Sequence, residues 1–177
     1  MEWLKKNDFL AYIDRSREIA ITPSGEKRKF VPIGALKSYL TPSNIRELLN
    51  VIIGPSNRIE TENVVENFLR VFAILISIDK ASYIHRFYEN PSRLADSNLP
   101  FTNDHDWHKD CQPFFKEFHA KQWQFCAQEF KTDWMNDTLL NDERILPIIQ
   151  IDRLKFGTDS SVYQIQLHPE YNLLVVR

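Results

Sequence analysis

Hydrophobic and polar positions alternate along the chain in several distinct ways, and the clearest pattern lies near the middle. From Thr61 the sequence reads TENVVENFLRVFAILISIDK. Val64, Val65, Phe68, Leu69, Phe72, Leu75 and Ile76 recur at i, i+3, i+4 spacing, which predicts a helix with one apolar face. Its second half is apolar on nearly every face, so neighbours should bury it from several sides. Residues 2–14 read as an amphipathic helix with Trp3, Leu4, Leu10 and Ile13 as its apolar members. The runs EIAI and KFVPI flank the turn-rich TPSGEK, which predicts a hairpin or an extended, mobile arm. GALKSYL reads as a short helix. TPSNIRELLN reads as another, with Thr41 or Ser43 as its cap and Pro42 in its first turn. ASYIHRFYEN is a further short helix, stopped by Pro91. After the polar connection SRLADSNLPFTNDHDWHKDCQP, the residues Phe115, Phe118, Gln122, Cys126 and Phe130 mark one face of a long helix over about 112–130. Beyond NDERILP the period changes to two: IIQIDRLKFG, SSVYQIQLHP and NLLVVR predict two or three strands.

This order of elements predicts an α+β chain, mostly α, with a small antiparallel β-element at its C-terminal end. It divides into an N-terminal helix and arm (1–30), a helical domain (31–146) and the β-element (147–177), which should pack on the helices. The apolar share of 43%, with 12 Phe and 4 Trp, is enough for a buried core and argues against disorder. Charge is balanced at 22 basic against 24 acidic residues, so no strong field favours nucleic acid or an anionic membrane. The densest basic run, EKRK at 26–29, reads as a solvated turn. The longest apolar run, VFAILISI, is too short to span a bilayer. The first residues contain no apolar stretch of signal-peptide type. A soluble, intracellular, cytoplasmic protein with reduced Cys111 and Cys126 is the expectation.

The stretch DHDWHKDC (104–111) gathers three Asp, two His and a Cys. His105, His108 and Cys111 are candidate metal ligands, since imidazole nitrogen and thiolate suit a zinc-type ion. No CxxC or HExxH accompanies them. The alternative is a solvated loop that Trp107 anchors to the body, with Asp110 capping the following helix. A thiol nucleophile at Cys111 or Cys126 would need an adjacent base and an oxyanion hole. Cys126, between apolar neighbours, reads as core.

RLKFGTDSSVYQIQLHP carries the most specific pattern. Leu154 precedes a loop and Val162-Tyr163 opens the next strand, in the manner of the strand, glycine-rich loop and strand that begin a protein kinase. With the blocks FVPIGALKSYLTPSNIRELL, VVENFLRVFAILISI, SNLPF, FHAKQWQFCAQEF and RILPII, the chain from about residue 30 onward resembles the region at and before the start of the kinase-like domain of filamentous-fungal protein kinase-like proteins. That resemblance implies a β-element like the first strands of a kinase N-lobe and an association with signalling. The chain departs from the kinase pattern. Lys155, Gly157 and Ser160 occupy the three glycine positions, so the backbone has lost most of what lets it approach phosphates. If NLLVVR is the third strand, Arg177 stands at the lysine position. No catalytic loop and no magnesium-binding motif follows.

The expectation is therefore a non-enzymatic protein-interaction or regulatory module without a cofactor. Its partner would be a protein, in particular a kinase or other signalling protein, or a second copy joined through a strand edge. Val162, Ile165 and Trp107 are the candidate interaction residues. Nucleic acid and membrane are not expected partners. The alternatives are a degenerate, pseudokinase-like nucleotide-binding fragment using Gly157, Thr158, Ser160, Ser161 and Val162, and then a metal-binding protein.

Overall fold

The computed structural model describes residues 2–132, 140–154 and 162–174, with side chains from Lys5 onward. At its centre the apolar run forms two helices, α4 (Thr61–Asn67) and α5 (Leu69–Ser77). In α5 every residue but Arg70 and Ser77 is buried. The single helix expected here breaks at Phe68, whose backbone leaves the helical region at φ −135°, ψ 17°. The cause lies 26 residues downstream of Arg70. Asp96 accepts the backbone N–H groups of Arg70 (2.8 Å) and Val71 (2.9 Å). These are orphan donors of a first turn, and the carboxylate satisfies two at once.

The remaining helices are α1 (Glu2–Arg15), α2 (Ile33–Tyr39), α3 (Pro42–Ile52), α6 (Ile84–Tyr88), α7 (Pro91–Leu94) and α8 (Phe115–Gln122). The helix α3 starts as expected: Thr41 Oγ1 accepts from Asn44 N–H, and Pro42 occupies the first turn. Pro91 opens α7 rather than merely ending α6. α5 packs against α2, α4, α6 and α8, and α1 packs on α2 and α3. The core does not divide at residue 30. Phe9 and Ile13 of α1 belong to the same apolar cluster as Leu36, Phe72 and Phe118.

Four strands complete the described residues: β1 (Glu18–Ile21) with β2 (Lys27–Phe30), and β3 (Ile148–Leu154) with β4 (Val162–Leu167), each pair antiparallel. The architecture is α+β, mostly α. The arm at 18–30 is the hairpin of the two forms weighed. Thr22 Oγ1 accepts the Glu26 N–H, and Gly25 takes the positive φ of 83° that its turn demands. The hairpin is tied down by a bridge between Ile21 and Leu146. Ala20 and Phe30 enter a second, smaller core with Ala127, Ile145 and Tyr171.

The long helix expected over 112–130 ends at Gln122. Beyond it the chain extends and is stitched to three separate segments. Gln124 C=O accepts from Val31 N–H, Gln128 N–H donates to Ile145 C=O, and Phe130 N–H donates to Tyr171 C=O. Cys126 is buried, as expected, but in this extended segment and not in a helix. Asp110 caps no helix. It pairs with His108 and with Arg86 of α6.

Candidate interaction surface

The β3–β4 ribbon leaves the body as a free blade. Its base meets the β1–β2 hairpin and the turn at Tyr171. His168 N–H donates to Pro147 C=O, and the His168 ring lies against Phe30 and Tyr171. Because His168 Nδ1 accepts from Glu170 N–H, Nε2 faces Glu18 of β1 at 3.3 Å. The buried Tyr171 hydroxyl accepts from Ile33 N–H. Burial pushes that phenol well above the ordinary tyrosine range.

Away from the base, β3 and β4 are exposed along almost their whole length. Opposed residues of an antiparallel pair share a face. Ile151 faces Ile165 and Arg153 faces Tyr163, with Leu167 further along the same side. The other face carries Gln150 opposite Gln166, Asp152 opposite Gln164, and the apolar pair Leu154–Val162 near the tip. One face is therefore apolar in solvent: Tyr163 is 54% exposed and Ile165 46%. A two-stranded ribbon buries neither face by itself and leaves both edges unpaired. Beside β4 runs a groove of about 660 Å³, lined by Ile165, Leu167, Pro169 and Leu174 and by the polar Gln164 and Gln166. The third strand expected at NLLVVR is absent from the described part of that segment. Asn172 makes a single bridge to Phe130, and Leu173 and Leu174 join no strand.

Of the candidate interaction residues, Val162 and Ile165 lie on this blade. Trp107 does not; its side chain belongs to the core. It is 4% exposed and packs edge-on against Phe87, Phe101 and Phe118. It anchors the 104–111 loop, as its isolation among polar residues implied. The candidate metal ligands do not converge. His105 and His108 are exposed, whereas Cys111 is buried in the core. Among the described residues no three His, Cys, Asp or Glu side chains gather where a metal ion could sit. Burial pushes the Cys111 thiol up to about 11 and Cys126 up to about 12, so both are held as thiols and not as nucleophilic thiolates. Of the candidate nucleotide loop, Gly157, Thr158, Ser160 and Ser161 lie outside the described residues, and Arg177 does too. Val162 pairs with Leu154 at the exposed tip.

No protein-family model, no curated protein and no solved structure matches the chain. Among the described residues no helix is long and apolar enough to cross a membrane.

Proposed function

We propose that the chain is a non-enzymatic protein-interaction module that receives an extended segment of a protein partner along the free edge and apolar face of the β3–β4 ribbon. The observation that carries this reading is the exposure of Ile151, Leu154, Val162, Tyr163 and Ile165 on a blade that no third strand joins among the described residues. Strand addition would give the exposed main-chain groups of β4 their partners, and the groove beside β4 would take alternate side chains of the incoming strand. The resemblance of the sequence blocks to the leading region of fungal kinase-like proteins makes a kinase or signalling protein the partner class. An intracellular, cytoplasmic site of action fits that partner class.

The same exposure makes the reading easy to test. Lysine substitutions at Ile151 and Ile165 leave the core untouched, so folding and docking separate cleanly. A photo-crosslinking residue at position 163 should join the chain to one partner protein. That partner, purified and titrated back, should bind in the micromolar range or tighter. Ile151→Lys with Ile165→Lys should abolish binding while the melting temperature stays unchanged. Wild-type affinity in the double variant would refute the assignment. Crosslinks solely between two copies of the chain would replace the foreign partner with self-association.

A further inference from the structure

On the side of the body where α5 begins, a cleft of about 660 Å³ is lined by Arg70, Asp96, Ser97, Glu129, Lys131 and Arg144, with Cys126 at its wall. Three cations share it with two carboxylates, and both carboxylates are engaged. Asp96 holds the main-chain N–H groups of Arg70 and Val71. Glu129 accepts Arg70 Nη2 at 3.5 Å and Lys131 Nζ at 2.9 Å. Arg144 is different. Its guanidinium lies over the Trp123 ring, 5.8 Å from the centroid. No carboxylate and no carbonyl among the described residues receives its side-chain donors. Desolvation lowers its pKa, because burial holds the cation partly out of water. Arg70 and Arg144 both line this one cleft.

A partly buried guanidinium without an anion is costly unless something supplies one. Arg144 lines the cleft beside Trp123, and a guanidinium carries a fork of donors that matches tetrahedral oxyanions. The Ser97 hydroxyl adds a neutral donor at the same wall. The space is larger than a bare phosphate needs, so an organic group can accompany the charge.

We propose that this cleft binds a small soluble phosphate monoester, with its phosphoryl oxygens on Arg144 and on the free donors of Arg70. Nothing in this assignment depends on the ribbon as docking element, and the two can fail separately.

Isothermal titration of the full chain with glycerol 3-phosphate, at constant ionic strength, tests it. Inorganic phosphate, acetate and glycerol are the comparison ligands. Saturable binding is expected for glycerol 3-phosphate and more weakly for inorganic phosphate, and none for glycerol. Arg144→Gln should weaken it by about tenfold or more. Lys116→Gln, which removes an exposed charge on α8, should not change it. Absence of saturation at tens of millimolar, equal binding of acetate, or undiminished binding by Arg144→Gln would each overturn the proposal. Should Arg144→Gln fail to fold, Arg144→Lys keeps the charge and the stem but loses the fork. Unchanged affinity in that variant overturns the proposal equally. A phosphoserine peptide that binds where glycerol 3-phosphate does not would move the ligand from a metabolite to a modified protein and refute the small-molecule assignment.

Discussion

Gln122 is the most exacting place to perturb this molecule. It is fully buried at the end of α8. Its amide bonds both main-chain groups of Phe101: Phe101 N–H donates to Oε1 at 2.8 Å, and Nε2 donates to Phe101 C=O at 3.0 Å. One side chain thus clamps the start of the 101–111 loop, and Trp107 and Phe101 pack against Phe118 one turn away on the same helix. Gln122→Leu keeps most of the volume and removes the clamp. Two buried main-chain groups are left unpaired at about 1–3 kcal/mol each, partly offset by the better burial of leucine, so a loss of about 3 kcal/mol is expected. That is a large fraction of the ordinary stability of a domain. Urea unfolding followed by tryptophan fluorescence measures it, with the m-value unchanged. Hydrogen exchange at the Phe101 amide should accelerate more than at α5 amides. Gln122→Glu sharpens the test. The ionised carboxylate accepts from Phe101 N–H but repels Phe101 C=O, whereas the protonated acid serves both. The folded pKa of that acid should therefore lie above its unfolded value. Stability should be present at low pH and lost as pH rises through the folded value. A Gln122→Leu loss below about 1 kcal/mol would refute the clamp and with it the cost assigned to unpaired buried groups.

Asp96→Ala should cost about 2–3 kcal/mol in denaturant unfolding, because it unpairs the N–H groups of Arg70 and Val71 at the start of a buried helix. Burial pushes the Asp96 carboxyl up to about 6 from its ordinary 3.8, against the pull of those two donors and of Arg70. The folded chain then holds more protons than the unfolded chain between these values. Asp96 should make stability fall as pH rises from about 4 to 6, by up to about 3 kcal/mol, and Asp96→Asn should flatten that slope. Gly34→Ala would set a Cβ against the Glu170 carboxylate, which now accepts the Gly34 N–H at 2.8 Å. The side chain can swing away, so a loss near 1 kcal/mol is expected. In a double-mutant cycle Glu170→Ala should absorb most of it. Cys111 and Cys126 should react with a disulfide reagent at neutral pH only as fast as the protein opens, and denaturant should release both.

The class of the fold was readable, and so were most of its helices, because the apolar spacing at 2–14, 33–52 and 61–80 reflects faces that are indeed buried. Thr41 and Pro42 marked a helix start for a local reason, which the chain around them satisfies. The failures share one cause. The long helix over 112–130 had a fitting periodicity, but residues beyond Gln122 gained more from main-chain bonds to Val31, Ile145 and Tyr171. Those partners are remote in sequence. Gln122 did give a sign of itself, as a polar side chain on an apolar face. Asp110 looked like a cap because it precedes a helix, yet Arg86 and His108 hold it. Asp96, the true cap of α5, sits in a polar connection with nothing nearby to single it out.

The sequence by itself determined what each segment prefers: which faces shun water, where helices start, and that the end of the chain is β. Such preferences are set by neighbours within a few residues, and a periodic pattern expresses them directly. The tertiary structure decided where those preferences are overruled or left unmet. It broke the central helix with a carboxylate 26 residues from Arg70 and turned Cys111 into the core. It set Arg144 against Trp123 with no carboxylate partner among the described residues, and it sent the β3–β4 ribbon into solvent with its apolar face exposed. Each of these depends on which distant groups meet, and no local pattern encodes that.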